Sequence, residues 1–164
     1  TSTKWVRSWK LSSATSAHAT WRGFASAALF DAVYRKGVAV TGGANVALDG
    51  NRVEGVPAII VRTGVARTGA AGTMTLQVSH TGESFGDPLN TREPNVTGAR
   101  GIVPAYTLVD LTLSRRVGAH AVVRAGVTNV FDVRYFTKRP AFYPGPGVWP
   151  SDGRGVTLGM SLGR

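Results

Sequence analysis

Two arginines bracket a segment rich in proline and glycine in the last quarter of the chain. Arg139 and Arg154 lie on either side of residues 140–150, which also contain Tyr143 and Trp149. A guanidinium group binds anionic oxygens through paired hydrogen bonds, and an aromatic ring offers a surface for stacking. We therefore treat these side chains as candidates for contact with an anionic ligand. The alternatives are solvation or attraction to lipid phosphates for the arginines, and anchoring at an interface for the aromatic residues.

Other reactive side chains are too dispersed to predict catalysis or metal binding. The chain has no cysteine, which removes thiolate ligands and thiol nucleophiles together. We interpret the separated histidines as solvated residues near turns and the acidic residues of one segment as solubilising groups, so we expect neither an enzyme nor a metal site or cofactor. These residues are His18, His80 and His120, and Glu83, Asp87 and Glu93.

Apolar and polar residues alternate over much of the chain. Met74, Leu76 and Val78 fall on one side of residues 73–79, and threonine, glutamine and serine fall on the other. Successive side chains of a strand point to opposite faces, so this pattern predicts a strand with one apolar and one polar face. Similar alternation predicts seven strands, at residues 5–14, 21–34, 59–65, 73–79, 106–116, 120–128 and 155–162.

The segments between these strands differ greatly in length. Residues 80–104 and 135–154 are long and irregular, whereas residues 117–120 leave room only for a tight turn. Long loops at one rim and short turns at the other are typical of a transmembrane β-barrel. A soluble β-sandwich also alternates, but its exposed faces usually carry many charges, whereas the polar side here is mostly Thr, Ser, Gly and Gln.

The fold class that these patterns predict is all-β, an antiparallel transmembrane β-barrel. Seven strands are too few to close a barrel with such loops, and single-chain bacterial barrels have even strand numbers. An open sheet edge in lipid would leave unpaired backbone groups costing several kcal/mol each, so we expect further strands upstream. The chain also opens at Thr1 without the pattern of a signal peptide, which favours a fragment.

The composition limits the class of partner. The hydrophobic fraction is 43%, without an apolar run long enough for a membrane helix. A formal charge of +10 raises nucleic acid, acidic lipid or an anionic ligand as partners. The cations cluster in or beside the long irregular segments, which favours a ring of loop charge over a nucleic-acid groove.

Five segments resemble sequence signatures of TonB-dependent outer-membrane receptors. They are residues 50–57 (GNRVEGVP), 82–91 (GESFGDPLNT), 101–111 (GIVPAYTLVDL), 126–136 (GVTNVFDVRYF) and 144–154 (PGPGVWPSDGR). The last has the form seen among receptors of the ferric-dicitrate type. The residues that carry the resemblance, with roles expected to be structural, are Pro57, Pro104, Tyr106, Asp110, Asn129, Phe131, Asp132, Tyr135, Gly153 and Arg154.

The resemblance implies a fold and a place in a larger protein. Such receptors are barrels of about 22 strands plugged by an N-terminal domain, so residues 1–164 would be the C-terminal portion, with the plug and earlier strands absent. Pro104 would stand at a strand entrance, where a missing N–H does least harm. Asp110 and Asn129 would face the lumen and bond to neighbouring strands or to the plug.

The resemblance also implies a function: uptake of a ferric siderophore, of the ferric-citrate type, across the outer membrane of a Gram-negative bacterium. The expected partners are the siderophore, the plug domain, TonB, and outer-membrane lipid and lipopolysaccharide, without nucleic acid. The alternatives are another outer-membrane barrel, either porin or autotransporter, and a soluble basic β-domain that binds nucleic acid. Two departures weaken the match: Arg164 stands where an aromatic residue is usual, and Ser8 and Lys10 replace the common Gly and Glu.

Overall fold

Antiparallel strands dominate the computed structural model of this protein, which describes residues 2–4, 14–16, 19–143 and 145–163. Most of the first predicted strand, residues 5–14, lies outside the described residues, as do Ser8, Lys10, His18 and Arg164. Within the described part of the chain, no helix has the length and apolarity needed to cross a membrane.

The described residues form fifteen strands, most of the long ones in a single sheet. They are β1 (Ser2–Lys4), β2 (Ala14–Ser16), β3 (Ala19–Leu29), β4 (Asp31–Val33), β5 (Val38–Thr41), β6 (Ala44–Ala47), β7 (Ile59–Gly69), β8 (Gly72–Thr81), β9 (Ser84–Phe85), β10 (Ile102–Val103), β11 (Tyr106–Val117), β12 (Ala121–Thr128), β13 (Phe136–Lys138), β14 (Trp149–Pro150) and β15 (Gly155–Leu162).

One large sheet and four small pairs account for these strands in the described residues. The large sheet has the order β15-β12-β11-β8-β7-β3-β2, and its neighbouring strands are antiparallel. The small pairs are β1-β4, β5-β6, β9-β10 and β13-β14. The order follows the chain throughout, so each strand pairs with the next strand of this sheet along the chain, as in a meander.

The connections of the large sheet are long at one rim and short at the other. Three long connections leave one rim: loop A (residues 30–58), loop B (residues 82–105) and loop C (residues 129–154). At the opposite rim, residues 70–71 join β7 to β8, and residues 118–120 join β11 to β12. We call these the long-loop rim and the short-turn rim. The predicted asymmetry of loop length is therefore confirmed.

The strand register aligns the apolar residues into continuous rows. Val65 lies opposite Leu76, Leu76 opposite Leu111, and the row continues through Val127 to Val156. Directly opposed residues share a face of a sheet. We call this the apolar face; the other, the polar face, carries mainly threonine, serine, glutamine and glycine, as the alternation predicts.

No second layer of the described residues covers the apolar face. The buried hydrophobic residues of this part of the chain are Leu48, Ala99 and Val103, and all of them lie in loops A and B. On the face itself, Val156 and Leu158 keep 75% and 81% of their surface exposed. A soluble sandwich would bury these side chains under a second sheet. The sheet instead has the arrangement of a barrel wall, whose outer face lies against hydrocarbon.

Several predicted strand boundaries were wrong, and several short strands were missed. The strand predicted at residues 21–34 runs from Ala19 to Leu29, because residues 31–33 pair with β1 and no longer with β7. The strands predicted at residues 59–65 and 73–79 are longer, extending over Ile59–Gly69 and Gly72–Thr81. His120 belongs to the turn, as the tight turn predicted at residues 117–120 implies, so β12 begins at Ala121. The pairs β5-β6, β9-β10 and β13-β14 lie inside loops A, B and C and were not predicted.

Candidate ligand-binding rim

Loops A and B are joined by backbone-directed hydrogen bonds. Asn90 Oδ1 accepts a hydrogen bond from the Arg52 amide at 2.7 Å, and Asn90 Nδ2 donates one to the Arg52 carbonyl at 2.8 Å. The side-chain amide group therefore makes the pair of bonds that a neighbouring strand would make with Arg52. Asn51 Nδ2 donates to the Pro88 carbonyl at 2.9 Å, and the Gly55 amide donates to the Phe85 carbonyl at 2.9 Å. These bonds hold the two loops as one layer.

A buried carboxylate closes loop B on itself. Asp87 is 6% exposed, and its Oδ1 accepts the Leu89 amide at 3.1 Å and the Thr91 hydroxyl at 2.9 Å. Its Oδ2 accepts the Gly101 amide at 3.4 Å from the far end of the loop. Both oxygens therefore serve the backbone of loop B. Asp87 therefore has a structural role, and because it is buried it does not serve as the solubilising group predicted from the sequence.

Arg139 fastens loop C to loop B. Its Nε donates to the Ile102 carbonyl at 2.9 Å, and its Nη1 donates to the Gly98 carbonyl at 2.6 Å. The guanidinium carbon lies 4.8 Å from the centre of the Phe136 ring. Burial lowers the pKa of Arg139 from its usual value. A side chain at Gly86 would place its Cβ 2.7 Å from Arg139 Cδ, so the glycine makes room for this contact.

Asn129 fixes the path of the chain as it leaves β12. It is 4% exposed and has a left-handed backbone with φ of 49°. Its amide donates to Asp110 Oδ1 at 2.8 Å, and its side chain exchanges two hydrogen bonds with the backbone of Val133, at 2.9 and 3.0 Å. Asp110 lies on the polar face of β11, so the bond joins loop C to the adjacent strand.

Asp132 ties the start of loop C to its end. Its Oδ1 accepts the Arg154 amide at 2.9 Å, and Gly153 lies so close that an added Cβ would stand 2.7 Å from that oxygen. The backbone hydrogen bond from Arg154, helped by the charges of Arg134 and Arg154, holds the pKa of Asp132 below its usual value. The Arg134 ion pair, at 3.5 Å, is exposed and contributes little.

The remaining motif residues lie where strands meet loops. Tyr106, at the start of β11, packs on Tyr135 with ring centroids 4.4 Å apart. Pro57 and Pro104 lie just before β7 and β11, while Phe131 projects outward with 72% of its surface exposed. The register places Tyr106 on the polar face, so its contact with Tyr135 is on the inner side of the sheet and does not belong to the outward aromatic girdle that the sequence predicts. The motif thus lies along a single rim.

The candidate ligand contacts divide between two parts of loop C. Tyr143 is 92% exposed between β13 and β14, and Trp149 is exposed in β14 with Lys138 Nζ 6.0 Å from its ring centroid. Arg139 follows β13 and directs two nitrogens to loop B. Arg154 stands at the start of β15, beside Asp132. The structure therefore brings Arg139 and Trp149 into one short hairpin and places Arg154 at the base of the loop.

The histidines and acidic residues do not converge. His80 Nδ1 lies 2.9 Å from Thr107 Oγ1 across β8 and β11, whereas His120 is in a turn at the opposite rim. Glu83 and Glu93 are exposed. Among the described residues, no group of three His, Asp or Glu side chains has the arrangement of a metal site.

The sequence analysis did not predict two sets of hydrogen bonds that stabilise the long-loop rim. The Tyr34 hydroxyl donates to Glu54 Oε2 at 2.7 Å across loop A, and this hydrogen bond raises the pKa of Tyr34 to about 12. Asn90 has a φ of 55° and joins loops A and B. An asparagine in a proline-rich segment signals a turn, but nothing in the sequence identifies its distant partner.

No family model and no curated protein sequence matches the chain. Among solved structures, the ferric citrate transporter FecA in its unliganded form is similar over 87% of this chain and 21% of its own, with 23% identity and a TM-score of 0.72. The siderophore receptor PiuA from Acinetobacter baumannii is similar over 87% and 19%, with 20% identity and a TM-score of 0.70.

BauA, the ferric preacinetobactin receptor from Acinetobacter baumannii, is similar over 98% of this chain, with 18% identity and a TM-score of 0.59. The chain spans between 19% and 26% of the length of these three proteins. All three are named as transporters or receptors of siderophores or ferric chelates, and the chain has the fold of one segment of such proteins.

Proposed function

We propose that residues 1–164 form the C-terminal portion of the barrel of a TonB-dependent receptor, which takes up a ferric siderophore across the outer membrane of a Gram-negative bacterium. The observation that carries the proposal is the match to FecA, with a TM-score of 0.72 over 87% of the chain. The plug domain and the earlier strands belong to the rest of the receptor. The function involves no covalent change in the substrate, so the protein is not an enzyme.

Each face of the sheet has a distinct part in this function. The apolar face contacts lipid, because no described layer of protein covers Val156 or Leu158. The polar face lines the lumen that the plug fills. Loops A, B and C lie outside the cell, beside lipopolysaccharide, where a chelate arrives. Ligand binding at this rim shifts the conformational equilibrium of the plug, and energy relayed by TonB releases the ligand inward.

The charge of loop C favours an anionic chelate of the ferric-citrate type. The loop carries twice as many cations as acids, and one oxygen of Asp132 already accepts a backbone hydrogen bond. An excess of positive charge on a surface attracts anions and raises their local concentration. The charged residues of the loop are Arg134, Lys138, Arg139 and Arg154, against Asp132 and Asp152.

The four candidate residues have different parts in binding. Tyr143 and Trp149 present exposed rings for stacking, and Arg154 presents an exposed guanidinium group to carboxylate oxygens. Arg139 adds its charge, but its Nε and Nη1 hold loop B, so it also shapes the binding surface.

Iron uptake in cells tests the proposal. The complete receptor would be expressed in a Gram-negative strain that lacks its own ferric citrate receptor, and the cells supplied with radioactive ferric citrate. We expect accumulation only when the receptor and TonB are both present. Accumulation that continues without TonB would identify a porin-like channel. Absence of uptake of ferric citrate, with uptake of another ferric siderophore, would correct the ligand and keep the function.

A loop replacement locates binding on loop C. Residues 141–148 would be exchanged for glycine and serine at the same length, which retains Arg139, β14 and Arg154. We expect ferric citrate binding to weaken about tenfold, since the stacking contact of Tyr143 and the native path of the loop are lost together. The same exchange at residues 118–120, on the short-turn rim, is the control. Unchanged uptake after the first exchange would remove this part of loop C from the mechanism.

A further inference from the structure

An open groove lies at the short-turn rim, far from the loops considered above. Its volume is ≈ 620 Å³, and the turn between β7 and β8 forms one of its walls. The groove exists because residues 69–72 have the sequence Gly-Ala-Ala-Gly, so no bulky side chain fills the space beneath the turn. Met74, Leu113, Val123 and Ala125 also line it, and the register places these four residues on the apolar face.

Two arginines lie beside the groove on a face that is otherwise almost free of charge. Arg67 is opposite Met74, which is opposite Leu113, so Arg67 belongs to the apolar face, and Arg115 lies two residues beyond Leu113 on the same side. Among the described residues of β3, β7, β8, β11, β12 and β15, the apolar face carries no lysine or arginine other than Arg67 and Arg115. The nearby Arg116 and Arg124 are on the polar face.

The position of these arginines along their strands corresponds to the membrane interface. Arg67 lies two residues before the end of β7, and Arg115 lies two before the end of β11. An arginine on the outer face of a barrel is strongly destabilising at the bilayer centre but nearly neutral near the interface. Trp21 supports the assignment, because it lies opposite Arg67 at 5.6 Å from the guanidinium carbon, and tryptophan is enriched at this level.

The two guanidinium groups can reach a single phosphate. Their strands are two strand spacings apart and their positions are offset by two residues, which corresponds to about 12 Å between Cα atoms. Arginine side chains extend toward an anion from both sides of such a gap and bind phosphate oxygens through forked hydrogen bonds. Beside the arginines, Met74 and Leu113 are 42% and 45% exposed, and their apolar surfaces continue toward the bilayer centre.

We propose that this groove binds one anionic glycerophospholipid from the leaflet at the short-turn rim. The phosphate lies between Arg67 and Arg115, and one acyl chain follows Met74, Leu113 and Ala125 along the apolar face. The positive charge of the two arginines matches an anionic headgroup, and the apolar residues that line the groove match an acyl chain. The inference rests on the outer-membrane location proposed above and adds to it a specific lipid partner, distinct from lipopolysaccharide at the opposite rim.

Lipid retention by the purified receptor tests the proposal. The complete receptor would be isolated in mild detergent, titrated with phosphatidylglycerol or with zwitterionic phosphatidylcholine, and examined by native mass spectrometry. We expect phosphatidylglycerol to bind at least about tenfold more tightly than phosphatidylcholine. The double substitution R67Q and R115Q should remove that preference. Equal binding of both lipids by the unaltered receptor would overturn the proposal.

Two further variants separate the groove from general surface charge. Arg116→Gln is the matched control, because it removes the adjacent arginine from the polar face and should leave lipid binding unchanged. Ala125→Phe retains both arginines but fills the groove, and it should weaken phosphatidylglycerol binding about tenfold. If R116Q weakens binding as much as the double substitution does, net charge explains the effect and the groove has no specific role.

The same preparations distinguish this inference from the proposed function. A receptor that extracts from cells without detergent has no bilayer to supply the lipid, and that result would overturn the outer-membrane proposal itself. A receptor that requires detergent and transports ferric citrate, but shows no preference between the two lipids, would overturn the lipid site alone. Competition by glycerol phosphate at equal concentration would overturn the part assigned to the acyl chain.

Discussion

Three residues with left-handed backbone hold the long-loop rim together: Asn90, Asn129 and Asp132, with φ of 55°, 49° and 52°. Asparagine and aspartate tolerate this conformation better than other side-chain-bearing residues. Each also bonds through its side chain to the backbone: Asn90 to Arg52 and Asp132 to Arg154, both distant in sequence, and Asn129 to Val133 within loop C. At these three positions the backbone conformation and the side-chain hydrogen bonds therefore favour the same residue types.

Replacing Asn129 tests this arrangement. Asn129→Ala removes two side-chain hydrogen bonds to Val133 from a buried site and retains an unfavourable φ, whereas Asn129→Gly removes the bonds and relieves the φ. Loss of the bonds costs the loop about 1–3 kcal/mol, so amide exchange at Val133 should accelerate about tenfold or more in both variants. Val133 that stays protected in both would show that the side chain of Asn129 does not hold the loop.

A pH titration tests the Tyr34–Glu54 bond of loop A. The hydrogen bond favours the neutral phenol and raises the pKa of Tyr34 from 10.0 to about 12. Its contribution to stability is therefore complete below pH 10 and is lost as the pH rises through about 12. Glu54→Ala should move the phenolate absorbance transition of Tyr34 back toward 10.0, with Tyr34→Phe identifying that transition. An unmoved transition would contradict the assigned cause.

Elements with regular alternation could be predicted from sequence, whereas elements formed by contact between loops could not. For residues 73–79 and 155–162 the alternation predicted correctly which side chains share the apolar face, because side-chain direction has a period of two along any strand. The β5-β6 hairpin carried a signal that was overlooked, Gly42-Gly43 between two short apolar segments. The pairs β9-β10 and β13-β14 carried none, since their strands are two or three residues long and form only through loop packing.

The packing of loop B against loop C leads to a prediction for Arg139. Arg139→Lys retains the charge but loses the fork that reaches Gly98 and Ile102. Hydrogen exchange of residues 98–102 should increase in R139K as much as in R139Q, while ferric citrate binding should fall further in R139Q. As a control, Lys138→Gln removes a neighbouring charge without breaking these bonds. Unchanged exchange in R139K would show that the loops pack without the guanidinium group.

At the scale of the molecule, the two rims and the two faces differ in structure. Hydrogen bonds from Asn90, Asp132 and Arg139 hold the loops of the long-loop rim together, which under the proposed function would lower the conformational entropy lost on ligand binding. The short-turn rim has, among the described residues, the two tight turns and the arginine-flanked groove. Between the two rims, none of the described residues of the large sheet forms a buried hydrophobic core. The stability of the sheet therefore depends on backbone hydrogen bonds between strands and on the medium, water or lipid, that contacts the apolar face.

This dependence predicts that a charge is tolerated on one face of β15 and not on the other. Leu158 is 81% exposed on the apolar face, opposite Ala125, and Thr157 precedes it on the polar face. Leu158→Arg should lower the free energy of unfolding of the complete receptor in lipid bilayers by about 2–4 kcal/mol, because the guanidinium group must enter hydrocarbon.

Thr157→Arg adds the same group one residue away, toward the aqueous lumen, and should change the free energy of unfolding by less than about 1 kcal/mol. Guanidinium titrations of both variants in bilayers give the two values. Position along the strand is nearly identical for the two substitutions, so their difference isolates the contribution of the face. Equal values would mean that Leu158 lies against protein rather than lipid, and the sheet would then be one layer of a sandwich.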